Sequence, residues 1–114
     1  MDSRSARRQA VRNYKEQAPD RGIFLVRSAA TGEAWVGQST TLAGARNRLW
    51  FLLRSGAQHT PSLKAAWLAH GEDNLTFEVL ERLDPDESEV FVADLLKDKK
   101  REWAGRHAAI ELLI

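Results

Sequence analysis

Gly22-Ile23-Phe24-Leu25-Val26-Arg27-Ser28 and Ala34-Trp35-Val36-Gly37-Gln38 are rich in β-branched and aromatic residues, and Ala30-Thr31-Gly32 lies between them. Such runs favour the extended backbone. Gly32 tolerates the positive φ that a tight reversal requires, so the pair predicts an antiparallel hairpin. A chain that opens on a short hairpin must bury it against something. The candidates are later segments with helical periodicity and a third strand-like run, Leu75-Thr76-Phe77-Glu78-Val79-Leu80, in which apolar and polar residues alternate.

Leu42, Ala45, Leu49 and Leu53 fall at helical spacing in a stretch broken only by Gly44, and predict a helix to Arg54. Its segment Leu49-Trp50-Phe51-Leu52-Leu53 is more apolar than one buried face requires, so it is either covered on both sides within the domain or meets a partner. Thr60-Pro61 marks the start of a further helix, with Thr60 as N-cap, and Gly71 marks its end. Asp84-Pro85-Asp86 is a turn. From about Glu87 the chain predicts a long helix to Leu113, with Val92, Leu96, Trp103 and His107 along one side. Residues 3–16 also have a helical pattern, capped by Ser3 or Ser5 and closed by Pro19. The expected fold class is therefore α+β: a small three-stranded antiparallel sheet flanked by helices. The expected organisation is an N-terminal basic helix in residues 1–21, a core in 22–83, and a C-terminal helix of the same domain in 84–114.

At 114 residues the chain fits one domain, and its 43% hydrophobic and 29% charged residues suit a globular protein. With no cysteine it has no disulfide, thiolate metal site or thiol nucleophile. No run is long enough to span a bilayer, and the polar N-terminus does not read as a secretory leader, so the cytoplasm is the expected location. Net charge is +1, but it is unevenly spread: +3 over residues 1–22, +4 over 23–71, −8 over 72–98 and +2 over 99–114. The basic first part suits phosphate and the acidic block repels it. The same charges also suit plain solvated faces.

Gly22-Ile23-Phe24 and Trp35-Val36-Gly37 stand where the GIY-YIG nucleases carry the two tripeptides that name them. The downstream sequence strengthens the likeness: Gly37-Gln38-Ser39, a helix ending at Arg54-Ser55-Gly56, Pro61-Ser62-Leu63-Lys64-Ala65-Ala66-Trp67, His70-Gly71-Glu72-Asp73, and the strand Phe77-Glu78-Val79-Leu80-Glu81. Over residues 22–83 the chain resembles the homing-endonuclease branch of that superfamily. The resemblance implies the GIY-YIG endonuclease fold and a metal-dependent endonuclease acting on nucleic acid, DNA before RNA, with magnesium or manganese as cofactor if it is active.

In that family tyrosines of the tripeptides, an arginine and a histidine on the next helix, and a glutamate on the last helix do the chemistry. Here the tyrosine positions hold Phe24 and Trp35. Phenylalanine has no acidic proton, and an indole N–H donates but is no base. The arginine position falls on Ala45 and the histidine position one turn later on Leu49, so two polar roles become apolar on one helix face. The glutamate position falls on Lys100, which repels a metal, and the family's late asparagine has no counterpart.

These substitutions leave two readings. In the first, cleavage survives at a displaced site: Trp35, Arg46 and Arg48 are the catalytic candidates, Arg46 or Arg48 steadying the phosphate, with Asp98 or Glu102 holding the metal. In the second, activity is weak or lost and the scaffold binds nucleic acid through Arg4, Arg7, Arg8, Arg12, Arg46, Arg48, Lys64 and His59, or it binds a protein partner or a second copy of the chain. Trp35 either lines a groove where it stacks on a base or belongs to the core.

Overall fold

The structure is a computed structural model and describes residues 20–58 and 60–112. The helix expected over residues 3–16, with Arg4, Arg7, Arg8 and Arg12, lies outside the described residues, as does His59. The hairpin forms as the sequence predicts. Strands β1 (Gly22–Ser28) and β2 (Ala34–Ser39) pair antiparallel, with Val26 opposite Trp35 and Phe24 opposite Gly37. The reversal is closed by Ser28 N–H to the Glu33 carbonyl at 2.8 Å, with Gly32 at φ 78°. Helices α1 (Leu42–Ser55) and α2 (Pro61–His70) come next. A single 3₁₀ turn (Glu72–Asn74) then leads into β3 (Leu75–Arg82) and the long helix α3 (Glu89–Arg106).

The expected three-stranded sheet gains a fourth member. The two-residue strand β4 (Ile110–Glu111) lies parallel to β2, and the order is β3-β1-β2-β4. The long helix was expected to reach Leu113, but it stops at Arg106. The backbone reverses through Ala108 at φ 50°, where the Ala109 N–H returns to the Ala104 carbonyl at 2.8 Å. Left-handed helix ends usually announce themselves with glycine; an alanine at that position leaves no sequence signal.

Helices cover both faces of the sheet. Phe24, Val26 and Trp35 face α1 and α2, packing against Leu42, Ala45, Leu49, Leu63 and Ala66, with Leu112 in the same cluster. On the other face Ile23, Leu25, Ala34 and Val36 pack against Val92, Leu96 and Ala104 of α3. A strand buried on both sides needs apolar residues at successive positions, which is why β1 reads Ile-Phe-Leu-Val without alternation. The apolar run of α1 is covered mainly from within: Leu49, Trp50 and Leu53 are buried, and Trp50 meets Trp67 and Phe77 edge-on at 6.2 and 6.4 Å. Phe51 is left 64% exposed.

Two glycines hold the sheet's close approaches. In β3 the register slips so that Phe24 faces Val79 and Ile23 faces Glu81, leaving Leu80 as an extra residue. This bulge brings the Glu81 carbonyl to within 2.0 Å of where a Cβ on Gly22 would stand. A Cβ on Gly37 would come within 2.4 Å of the Phe24 ring and 2.9 Å of Leu112 Cδ1. Just ahead of β1, Arg21 is 3% exposed; it pairs with Glu89 at 3.1 Å and donates to the carbonyls of Pro85 and Glu87 at 3.4 and 3.3 Å. It thereby ties the first strand to the entry of α3.

Gly22→Ala should destabilise the fold by about 1–3 kcal/mol, since backbone must move to accept it. Gly44→Ala, with nothing within 4 Å of the added carbon, should be neutral or gain up to about 1 kcal/mol. Urea unfolding midpoints of the two variants measure the difference. Ala108→Gly should stabilise the fold by about 1 kcal/mol and so raise the midpoint, because glycine carries no left-handed penalty; an unchanged or lower midpoint would count against the left-handed turn.

Candidate functional site

Where β2 ends and α1 begins, the surface opens into a cleft of about 350 Å³. Its apolar wall is made by Phe24 of β1 and by Ala45, Leu49 and Leu52, which succeed one another at helical spacing on α1; Leu96 of α3 adds to it. Gln38, Ser39 and Thr40, leaving β2, supply the polar side, with Arg48 and Ala57 completing the lining. Arg48 is exposed, so its guanidinium meets solvent. The cleft thus contains three of the positions at which the resemblance places chemistry, and all three carry hydrocarbon.

Trp35 does not line this cleft. Its side chain is 0% exposed, and its indole Nε1 donates to Ser62 Oγ at 2.8 Å. The alternating direction of β2 turns it into the core beneath α2, so stacking on a base would require unpacking it; of the two alternatives for Trp35, the core is the one realised. Phe24 is stacked on Phe77 with ring centroids 4.9 Å apart. Lys100 reaches across the sheet edge and donates to the Leu112 carbonyl at 3.1 Å. Its ammonium is thereby committed to holding the chain after β4.

The remaining candidates are scattered. Arg46 is one residue round the helix from the cleft wall and lies over the Trp50 ring at 5.4 Å, a cation–π contact. Lys64 donates to the Gly56 carbonyl at 3.1 Å, neutralising the C-terminal end of α1. Asp98 and Glu102 lie two and six residues after the buried Leu96, which turns both to the solvent side of α3. Glu102 pairs there with Arg106 at 2.6 Å. Arg48 is therefore the one candidate site residue that the described structure brings to the cleft. Gln38, Ser39, Thr40 and Ala57 were not assigned to it by sequence; the Gly37-Gln38-Ser39 run that carries part of the resemblance was the available signal.

The cleft lining does not fit a divalent ion. It contains no carboxylate or imidazole, and the described residues contain no group of three or more His, Asp or Glu side chains placed to hold a metal. A hard cation needs several oxygen ligands, usually with at least one carboxylate.

A second polar cluster sits on the α3 face of β3. Because Leu80 is bulged, Glu81 faces α3; it accepts from Trp103 Nε1 at 2.9 Å and pairs with Lys99 at 2.5 Å. Arg106 lies over the Trp103 ring at 4.9 Å, and His107 stacks against it at 5.7 Å. The hydrogen bond from Lys99 is the main reason that the Glu81 carboxyl lies below its ordinary value of 4.5; partial burial opposes this, and the Trp103 bond adds to it.

No protein-family model and no curated protein sequence matches the chain. Among solved structures it is similar to the catalytic domain of the homing endonuclease I-TevI, with a TM-score of 0.66 at 18% identity, over 82% of this chain and 99% of that one. A glutamate-to-alanine mutant of the same catalytic domain gives a TM-score of 0.66 at 17% identity, over 78% of this chain and 84% of that one. The chain therefore has the GIY-YIG endonuclease fold.

A carboxyl whose pKa is lowered by folding stabilises the native state fully above its unfolded value, and that contribution disappears as pH falls through the lowered one. Acid should therefore weaken the native chain below about pH 4.5 in part through Glu81. Glu81→Gln should lose less stability than the parent between about pH 5 and pH 3. Parallel denaturation curves across that interval would contradict this role for Glu81.

Proposed function

We propose that the chain is a nucleic-acid-binding domain on an endonuclease scaffold, with phosphodiester cleavage weak or lost. The observation that carries the reading is the apolar cleft wall of Phe24, Ala45 and Leu49. Hydrolysis of a phosphodiester needs a group to take a proton from water and positive charge beside the scissile phosphate. Phe24 and Ala45 supply neither. Leu49 has no imidazole, and Lys100 puts an ammonium where the resemblance asks for a carboxylate. With no carboxylate or imidazole in the lining, the cleft offers no ligands for a metal that would supply that charge.

What supports retained binding is the charge that remains. Arg48 at the cleft and Arg46 two residues away are exposed on α1, within the basic part of the chain, and Arg27 is exposed on β1. In this reading the N-terminal arginines Arg4, Arg7, Arg8 and Arg12 add to the same backbone contacts. Contacts of this kind position a nucleic acid without reading its sequence.

The purified protein should cut plasmid DNA poorly or not at all with magnesium or manganese. Robust cleavage abolished by Asp98→Ala or Glu102→Ala, and not by a remote substitution, would establish a displaced active site instead. Binding should be weak and salt-sensitive. With three to five phosphate contacts, affinity should fall on the order of tens- to several-hundred-fold between about 50 and 200 mM salt. Arg46→Ala with Arg48→Ala should reduce the log–log salt slope by about 0.9 for each lost contact. A low-salt titration with no binding to single- or double-stranded DNA or RNA would move the function to a protein partner, for which Phe51, Leu68, Val90, Phe91 and Ile110 are the large apolar residues exposed among the described ones.

A further inference from the structure

The nucleic-acid reading leaves open what the cleft itself accepts. We propose that it takes one unpaired nucleotide of a bound strand, with the base in the apolar recess and a flanking phosphate at Arg48. This inference rests on the nucleic-acid reading above and adds a ligand for the cleft.

A volume of about 350 Å³ lies at the small end of the range for small-molecule sites, about 300–1,000 Å³. The wall of Phe24, Leu49 and Leu52 offers no charge or donor, so a phosphate or a hydrated ion would lose its solvation there without replacement. A nucleobase presents the opposite balance: two apolar faces and a polar edge. The polar side of the cleft matches that edge. Gln38 lines it, and its carboxamide Oε1 is buried without a hydrogen-bond donor among the described residues. That oxygen is shut off from the cleft, but the carboxamide also carries N–H donors, and every nucleobase edge carries an acceptor that could take one. Ser39 and Thr40 bring hydroxyls to the same side, and the exposed Arg48 belongs to the lining, so that a phosphate next to the inserted base is within reach of its guanidinium. In a duplex the edges are paired and the faces stacked, so the occupant must come from a single strand or be extrahelical.

The test uses the full chain and fluorescently labelled oligonucleotides at low salt: a single strand, the same strand with abasic units, a fully paired duplex, and that duplex with one extrahelical nucleotide. The base-bearing single strand should bind about tenfold tighter than the abasic one, and the extrahelical duplex tighter than the paired one. Ala57→Trp, which puts an indole at the lining from an exposed loop position, should abolish both preferences. If that variant lacks a cooperative melting transition, Gln38→Leu replaces it, with an expected loss of preference of about threefold. Equal binding of base-bearing and abasic strands, or a preference that survives the folded variant, overturns the inference and leaves the nucleic-acid reading standing. Failure of all four oligonucleotides to bind overturns both.

Discussion

The central strand governs the rest of the structure. β1 has a strand on each edge and helices over each face, so its side chains from Ile23 to Val26 are shielded from solvent on both sides. Four consecutive apolar side chains therefore cost nothing in solubility and supply both cores at once. The glycine before them admits the bulged neighbour, and Arg21 before that glycine is buried to fasten the turn leading into α3. Buried arginine is expensive unless its charge is answered; here one carboxylate and two carbonyls answer it.

The same packing explains how this fold accommodates apolar side chains at the positions where the resemblance places catalytic groups. Three of those positions, Phe24, Ala45 and Leu49, lie where the sheet meets the first helix. Once hydrocarbon occupies them, they extend the core outward instead of interrupting it. Ala45 and Leu49 are buried in the same cluster as Phe24 and Leu112. Trp35 shows the limiting case: its ring is wholly internal, and its one polar atom is satisfied by Ser62. A charged group at such a place would be desolvated without partners, which is unfavourable.

Much of the architecture was legible because it rested on backbone requirements that only particular residues meet. Gly32 at the hairpin, Pro61 at a helix start and Gly71 at its end gave correct boundaries within a residue or two. The end of α3 was hidden because Ala108 adopts a conformation that its side chain disfavours, and a two-residue parallel strand has no periodicity to detect. For the cleft, the resemblance placed Phe24 through the first tripeptide, and the helical repeat put Ala45 and Leu49 on one face. Arg46 and Arg48 could not be separated by sequence: they sit two residues apart, and only the packing of Trp50 decides that one guanidinium lies over an indole and the other beside the cleft. The neighbouring Lys99 and Lys100 likewise part ways, one pairing with Glu81 and the other with a carbonyl.

The extra residue at Leu80 reaches beyond the packing of Glu81. A four-stranded open sheet has two rims where unpaired amides and carbonyls invite another chain to add itself, a common route to aggregation. Among the described residues one rim is β4, too short to template much. The other is β3, which is longer, and there the bulge interrupts the straight ladder that a foreign strand would have to track, while Glu78 and Arg82 put charge along it. An irregularity that turns a carboxylate toward a helix thus also guards the colloidal stability of the folded chain.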